Sequence, residues 1–102
     1  MESADILILD DEPMVTDSIR DLLELETAYR IITATSPVNA LNMLEKTHVQ
    51  VIISDFLMPE MNGIDFLVQA KSRIPDMTAI LITGYADKSN AIRAINEVGI
   101  YY

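Results

Sequence analysis

The sequence lacks several features whose absence narrows the range of possible functions. It contains no cysteine, which excludes disulfide bonds and thiolate metal sites and is compatible with a cytoplasmic location. Glycine and proline are also scarce, at three and four of 102 residues, and no linker or low-complexity segment interrupts the chain. The apolar runs are far too short to span a bilayer, and Met1 leads directly into acidic residues. We therefore expect neither a membrane segment nor a secretory signal.

Basic residues are few relative to acidic ones. Seven lysines and arginines stand against sixteen aspartates and glutamates, which gives a net charge of −9. Nucleic-acid phosphates would repel such a chain, so we expect no direct contact with nucleic acid. Half of the residues are hydrophobic, which excludes a disordered acidic tail. The length and composition together predict a single domain spanning residues 1–102.

Short apolar runs alternate with helical patterns along the chain. The strand-like runs centre near Leu7, Ile31, Ile52 and Ile80, and a last one begins at Ile100. Four intervening segments carry apolar residues at helical spacing, namely Val15, Ile19, Leu22 and Leu23, then Ala40, Leu41 and Leu44, then Ile64, Leu67, Ala70 and Ile74, and finally Ala91, Ala94, Ile95 and Val98. This alternation predicts an α/β fold with a doubly wound, mostly parallel sheet and right-handed crossovers.

Prolines and short polar residues mark where the helices begin. Pro13 occupies a position where a first-turn proline is tolerated, and Ser36 followed by Pro37 predicts an N-cap and the first helical residue. Pro75 closes the third helical pattern, and Asp87 is expected to cap the fourth helix. These residues set the expected boundaries of the helices.

Acidic residues directly follow two of the predicted strands. They are Asp10, Asp11 and Glu12 after the run at 6–9, and Asp55 after the run at 51–54. Each run indicates a strand buried on both faces, and the carboxyl ends of parallel strands share the edge where open α/β folds bind ligands. Carboxylates crowded there would repel one another by about 4 kcal/mol per pair at about 4 Å and an effective dielectric constant of about 20. A hard divalent cation relieves this repulsion, so the sequence predicts a Mg²⁺ site.

The predicted strand ends also carry the groups that phosphoryl transfer requires. An ionised aspartate such as Asp55 needs no general base to attack phosphorus, and carboxylates form acyl phosphates. A metal held by neighbouring acids would supply charge neutralisation. Thr83, which follows the fourth apolar run, could donate a hydrogen bond to a phosphoryl oxygen, and Gly84 would leave room for it.

Three segments resemble the receiver domain of bacterial two-component response regulators, and the resemblance covers the whole chain. They are LDDE at 9–12, SDFLMPEMNGID at 54–65 and ILITGYAD at 80–87. The resemblance implies a flavodoxin-like (βα)₅ fold with strand order 2-1-3-4-5, in which Asp55 is the phosphoacceptor and Thr83 the switch hydroxyl. It also implies that Asp11, Asp55 and the backbone carbonyl of Leu57 ligate Mg²⁺ directly, while Asp10 acts through water.

The same resemblance implies a signalling module and not an enzyme. A sensor histidine kinase or a phosphotransfer protein would supply the phosphoryl group, and the resemblance is compatible with an output domain beyond residue 102 or with a stand-alone role. Any chemistry of its own would be limited to self-phosphorylation from small phosphodonors and autodephosphorylation. The residues at Leu57 and Tyr85, which in this family tune the lifetime of the phosphorylated state, lack an acid or amide group here.

The sequence departs from the family pattern at its end. Receivers carry a lysine near the end of strand 5, followed by a fifth helix, whereas this sequence stops at Tyr102, on entry to that strand. Lys46, Lys71 and Lys88 do not lie at predicted strand ends. We therefore expect an incomplete final strand and helix, retained Mg²⁺ binding and impaired switching. Self-association through the uncovered sheet edge and apolar surface is also expected.

Three other functions share parts of this pattern. A Mg²⁺-dependent phosphatase with an aspartyl-phosphate intermediate typically needs a second aspartate two residues after the nucleophile, where this chain has Leu57. A flavodoxin-like cofactor binder would need a phosphate-binding loop after strand 1, where three acids would repel phosphate. A pseudo-receiver that is never phosphorylated and serves as an interaction module remains open, because the strand-5 lysine is absent.

Several of these residues also have simpler structural interpretations. Acids after a strand are often a solvated helix start, because they favour the positive end of the helix dipole. Pro59 and Gly63 would shape the loop that presents Asp55. Met58 and Met61 would pack against the core because a thioether is a poor ligand for a hard cation, and His48 would be structural.

Overall fold

A computed structural model describes residues 2–82, in which four strands alternate with three helices. The strands are β1 (Glu2–Leu9), β2 (Ile31–Ala34), β3 (Thr47–Asp55) and β4 (Thr78–Ile82), and the helices are α1 (Pro13–Glu26), α2 (Pro37–Leu44) and α3 (Gly63–Arg73). The strands are all parallel and pair in the order β2-β1-β3-β4. The predicted doubly wound α/β fold is confirmed. The predicted fourth helix and last strand lie outside the described residues.

The helices begin where the sequence predicts. Pro13 and Pro37 are the first residues of α1 and α2, and the Ser36 side chain accepts a hydrogen bond from the Asn39 backbone N–H at 3.4 Å. At the start of α3, Asn62 Oδ1 accepts a hydrogen bond from the Asp65 N–H at 2.9 Å. None of these three helices is long and apolar enough to cross a membrane.

The main hydrophobic core lies between the sheet and helices α2 and α3. Leu7 of β1, Ile52 of β3 and Ala79 of β4 are register neighbours and are fully buried. The helix residues packed in the same core are Ala40, Leu41, Leu44, Phe66, Leu67 and Ala70. Burying one large apolar side chain of this kind stabilises the fold by about 1.5–3 kcal/mol. This core fixes the relative positions of β1, β3 and β4.

Helix α1 covers the opposite face of the sheet only in part. It buries Ile6 and Ile8 of β1, whereas Val51 and Ile53, their register neighbours on β3, are only half-buried. The sequence predicted that the apolar runs of β1 and β3 are buried on both faces. This is confirmed for β1. For β3 it is wrong within the described residues, because one face of this strand is only half-buried. The physical reason is that α1 contacts β1 and β2, the two strands that it connects.

One residue that was predicted to lie on the inner face of α1 points outward. Leu22 is 61% exposed, whereas Val15, Ile19 and Leu23 are half-buried as predicted, and the buried residue of this helix is Thr16. Leu22 lies about 120° around the helix axis from Thr16, at about 100° per residue. The i, i+7 spacing that joins Val15 to Leu22 therefore places both at the edge of the packed face, and of the two only Val15 is half-buried.

Candidate metal centre

The carboxyl ends of β1 and β3 bring three carboxylates together. Asp55 is the last residue of β3, while Asp10 and Asp11 directly follow β1, and the two strands are paired up to Leu9 and Ser54. One carboxylate oxygen from each of Asp10, Asp11 and Asp55 lies within 4.8 Å of the other two. The predicted meeting of these side chains at one edge of the sheet is therefore observed.

Backbone amides orient two of these carboxylates. Asp10 Oδ1 accepts a hydrogen bond from the Glu12 N–H, and Asp55 Oδ1 accepts one from the Phe56 N–H, each at 2.9 Å. Asp10 is buried, with 9% of its surface exposed. Glu12 is the N-cap residue of α1, and its side chain makes no capping hydrogen bond. The burial of Asp10 does not fit the alternative interpretation of these acids as a solvated helix start.

The electrostatics of this cluster are unfavourable in the absence of a cation. Burial raises the pKa of Asp55 above its ordinary value, and the nearby charge of Asp10 raises it further. Burial also raises the pKa of Asp10, with a contribution from Asp11, although the Glu12 N–H acts in the opposite direction. Both shifts mean that the ionised carboxylates are destabilised where they lie. A bound cation would reverse this effect.

The donor set fits Mg²⁺. Magnesium prefers hard oxygen ligands at about 2.0–2.1 Å, so two oxygens bound to one ion lie no more than about 4.2 Å apart. The carboxylate oxygens of Asp10, Asp11 and Asp55 lie within 4.8 Å of one another, which requires only small side-chain adjustments. Burial is the main cause of the raised pKa values of Asp10 and Asp55, and the neighbouring carboxylates raise them further, which a bound cation would offset.

The loop that follows Asp55 is anchored at both ends. The Phe56 N–H donates to the Ile82 carbonyl at 3.0 Å, and the Gly63 N–H donates to the Phe56 carbonyl at 2.8 Å. A Cβ atom on Gly63 would lie 2.1 Å from the Asp55 carbonyl oxygen, so the close approach of α3 to the end of β3 requires glycine. Between these anchors, the side chain of Leu57 is 63% exposed.

Other predicted residues lie away from the cluster or outside the described part of the chain. Met58 and Met61 are partly buried and pack against the core, as predicted. His48 lies towards the amino end of β3, where its Nε2 is 3.8 Å from Asp76 Oδ1. Lys46 precedes β3 and Lys71 lies in the last turn of α3. Thr83 and Lys88 fall outside the described residues.

The conformation of Glu60 and its contact with Ser36 were not predicted from the sequence. Glu60 has a φ of 75°, and it is the one residue other than glycine with positive φ among residues 2–82. Its carboxylate accepts a hydrogen bond from the hydroxyl of Ser36 at 3.3 Å. The sequence predicted only the capping role of Ser36. No local pattern signals either feature, because glutamate after proline is compatible with many turn conformations.

Comparison with known proteins gives the family. The family model of the response regulator receiver domain matches residues 6–102. The hydrogenase transcriptional regulatory protein HoxA of Cupriavidus necator is 36% identical over 100 residues, which cover 98% of this chain and 20% of that protein. The chain thus spans about a fifth of the length of this relative.

Solved structures agree with this assignment. A response regulator receiver domain protein from Clostridium thermocellum is 33% identical, with a TM-score of 0.84 over 96% of this chain and 77% of that one. The response regulator TrrA from Thermotoga maritima, solved in complex with Mg²⁺–BeF, is 25% identical, with a TM-score of 0.80 over 99% of this chain and 84% of that one. The order of the strands, the acidic cluster at their carboxyl ends and these matches lead to one conclusion: the chain belongs to the response regulator receiver domain family, whose members are signalling modules.

Proposed function

We propose that residues 1–102 belong to one receiver domain that accepts a phosphoryl group on Asp55 in the presence of Mg²⁺ and changes conformation in response. The observation that carries this proposal is the meeting of Asp10, Asp11 and Asp55 within 4.8 Å at the carboxyl ends of β1 and β3. The Mg²⁺–BeF complex of the similar receiver TrrA supports the choice of ion.

The chain offers a specific set of oxygen ligands for the ion. Asp11, Asp55 and the backbone carbonyl of Leu57 would hold Mg²⁺ directly, and Asp10 would act through water. The bound ion would offset the charge of the three carboxylates, which would otherwise repel the oxygens of an incoming phosphoryl group. The Glu12 and Phe56 amides keep Asp10 and Asp55 oriented before the ion arrives.

Asp55 performs the covalent step in this proposal. A carboxylate oxygen of Asp55 attacks the phosphorus of a phosphohistidine, so that a P–O bond forms while the P–N bond breaks and the imidazole takes up a proton. Hydrolysis by water later releases inorganic phosphate and restores the carboxylate. The histidine kinase or phosphotransfer protein therefore supplies the phosphoryl group, and this chain supplies only the acceptor.

The proposed response begins next to the acceptor. Thr83 would donate a hydrogen bond to the phosphoryl group, and its neighbour in sequence, Ile82, accepts a hydrogen bond from the Phe56 N–H at 3.0 Å. This link between the end of β4 and the residue after Asp55 supports the role of Thr83. Phosphorylation would bias an existing conformational equilibrium in the cytoplasm, and an output domain would read the change, as the transcriptional regulators among the relatives suggest.

Intact-protein mass spectrometry tests the proposal. The parent chain and its Asp55→Asn variant are incubated with acetyl phosphate, with Mg²⁺ or with EDTA, beside a receiver domain already known to be phosphorylated. We expect the parent to gain the mass of one phosphoryl group only with Mg²⁺, and the variant to gain none. A parent that stays unmodified while the reference receiver is labelled would contradict the proposal and favour an unphosphorylated interaction module.

A further inference from the structure

The loop between β3 and α3 contains a strained turn. The Met61 N–H donates to the Pro59 carbonyl at 2.8 Å, and the residue between them, Glu60, has a φ of 75°. These two features define a γ-turn with positive φ at its centre, which is rare and is disfavoured for any residue with a Cβ atom. Such a turn persists only where the surrounding structure holds it in place.

A hydrogen bond from another loop reaches this turn. Ser36 Oγ donates to Glu60 Oε1 at 3.3 Å, across 24 residues of sequence. Ser36 is also the N-cap of α2, where its Oγ accepts a hydrogen bond from the Asn39 N–H. The Glu60 carboxylate therefore lies beside the N-cap of α2, whose first turn contains no acidic residue, and negative charge at this end of a helix is favourable. The β2–α2 connection and the β3–α3 loop therefore support each other.

We propose that Ser36 and Glu60 are positioning residues that hold the loop at 56–62 in the conformation required for Mg²⁺ binding. This inference rests on the proposed function, because it concerns the backbone carbonyl of Leu57 as a ligand. The loop is anchored at Phe56 and at Gly63 by backbone hydrogen bonds, and Leu57 lies between these anchors with an exposed side chain. The contact between Ser36 and Glu60 restrains the exposed residue Glu60, which does not pack against the core.

A double-mutant cycle separates this role from simple helix capping. In the parent, Ser36→Ala removes the hydroxyl that holds the strained turn. In a Glu60→Gly background the hydrogen bond is already absent, and glycine adopts positive φ at no steric cost. Ser36→Ala should therefore loosen the loop in the parent and have no effect on it in the Glu60→Gly protein. Two further variants are controls: Ser36→Thr keeps the hydroxyl, and Ser36→Gly loses it but is tolerated at an N-cap.

Two measurements are made on each variant of the chain. Hydrogen exchange of the Met61 amide reports the γ-turn, and calorimetric titration with Mg²⁺ reports the metal affinity. For the loss of one exposed hydrogen bond to a carboxylate, we expect Ser36→Ala and Ser36→Gly to speed the exchange and weaken Mg²⁺ binding by about two- to fivefold. Ser36→Thr should match the parent, and Ser36→Ala should have no effect on either quantity beside Glu60→Gly.

The outcomes separate this inference from the proposed function. Equal effects of Ser36→Ala in both backgrounds would assign Ser36 to helix capping alone and overturn the inference, as would unchanged Met61 exchange. Faster Met61 exchange with unchanged Mg²⁺ affinity would show that the Ser36–Glu60 hydrogen bond stabilises the turn without positioning the metal site, and this would also overturn the inference. If the parent itself binds no Mg²⁺, the proposed function fails and the positioning role fails with it, while the exchange data still establish whether the hydrogen bond exists.

Discussion

Gly63 is where the structure predicts the sharpest response to a single methyl group. The hydrogen of Gly63 that a side chain would replace points at the end of β3, and a Cβ atom there would lie 2.1 Å from the Asp55 carbonyl oxygen and 2.9 Å from Leu81 Cδ1. Real Cβ atoms essentially never approach closer than 3.0 Å, so Gly63→Ala forces a displacement of at least 0.9 Å. The carbonyl cannot yield easily, because Asp55 is paired with Ile82 of β4 and its carbonyl accepts a hydrogen bond from the Ser54 hydroxyl at 2.9 Å.

The expected cost follows from this geometry. Forcing extra atoms into a packed site typically destabilises a protein by about 1–3 kcal/mol, which for a domain of this size lowers Tm by about 4–8 °C per kcal/mol. Helix propensity alone gives the opposite sign, because alanine is favoured over glycine by up to about 1 kcal/mol in a helix. A displacement of about 1 Å at a reacting group can also reduce its reactivity by about a hundredfold. Gly63→Ala should therefore lower both stability and the rate of Asp55 phosphorylation.

Urea denaturation followed by circular dichroism, together with the initial rate of phosphorylation from acetyl phosphate, measures both effects. Ser72→Ala, an exposed substitution on the same helix, should stay within about 0.5 kcal/mol of the parent. Leu81→Val shortens the second neighbour and should not rescue Gly63→Ala, because the backbone contact remains. A Gly63→Ala protein as stable as the parent, or rescue by Leu81→Val, would refute the assignment of strain to the Asp55 carbonyl.

Three further predictions concern the acidic cluster and Leu57. Asp55→Asn should raise the free energy of unfolding in EDTA by about 1 kcal/mol, because it relieves like-charge repulsion, and it should remove the stabilisation by Mg²⁺. Thermal denaturation with and without Mg²⁺ measures both effects. Equal stability of the variant and the parent in EDTA would contradict the proposed repulsion. Since the pKa values of Asp10 and Asp55 are raised on folding, the folded state binds more protons, and metal-free stability should fall as pH rises through these values. The double variant Asp10→Asn/Asp55→Asn should show a smaller decrease of unfolding free energy with pH, measured by urea titrations between about pH 4 and 7. An unchanged pH dependence would contradict this prediction. Leu57→Asn should dephosphorylate faster than the parent, because an amide at this exposed position can orient a hydrolytic water, and equal rates of phosphate loss would contradict this.

Much of the fold and the acidic cluster could be predicted because both depend on short-range patterns. An apolar run followed by acids places those acids at a strand end, and in a parallel sheet all such ends share one edge. Asp10, Asp11 and Asp55 could therefore be brought together without knowing any contact between them. Ser36 and Pro37 likewise mark the start of α2 through local backbone preferences.

Features that depend on packing between elements could not be predicted in the same way. Leu22 has the spacing of an inward residue, but its exposure depends on which strands α1 covers. The positive φ of Glu60 and its contact with Ser36 join two loops that are distant in sequence. Gly63 was expected to shape a turn, and its decisive role is instead the space it leaves for the Asp55 carbonyl. Sequence spacing contains no information on such distances.

The electrostatics and the rigidity of the site have a common explanation. Among residues 2–82, salt bridges involve Arg20 and His48, and none compensates the cluster of Asp10, Asp11 and Asp55. Asp10 and Asp55 are oriented instead by the Glu12 and Phe56 amides, which lie in the segments that follow β1 and β3 and carry no net charge. This arrangement orients Asp10 and Asp55 and leaves both without a salt bridge in the described part of the chain. A cation that binds there finds two of the three carboxylates already oriented, so more of its interaction energy remains available as affinity.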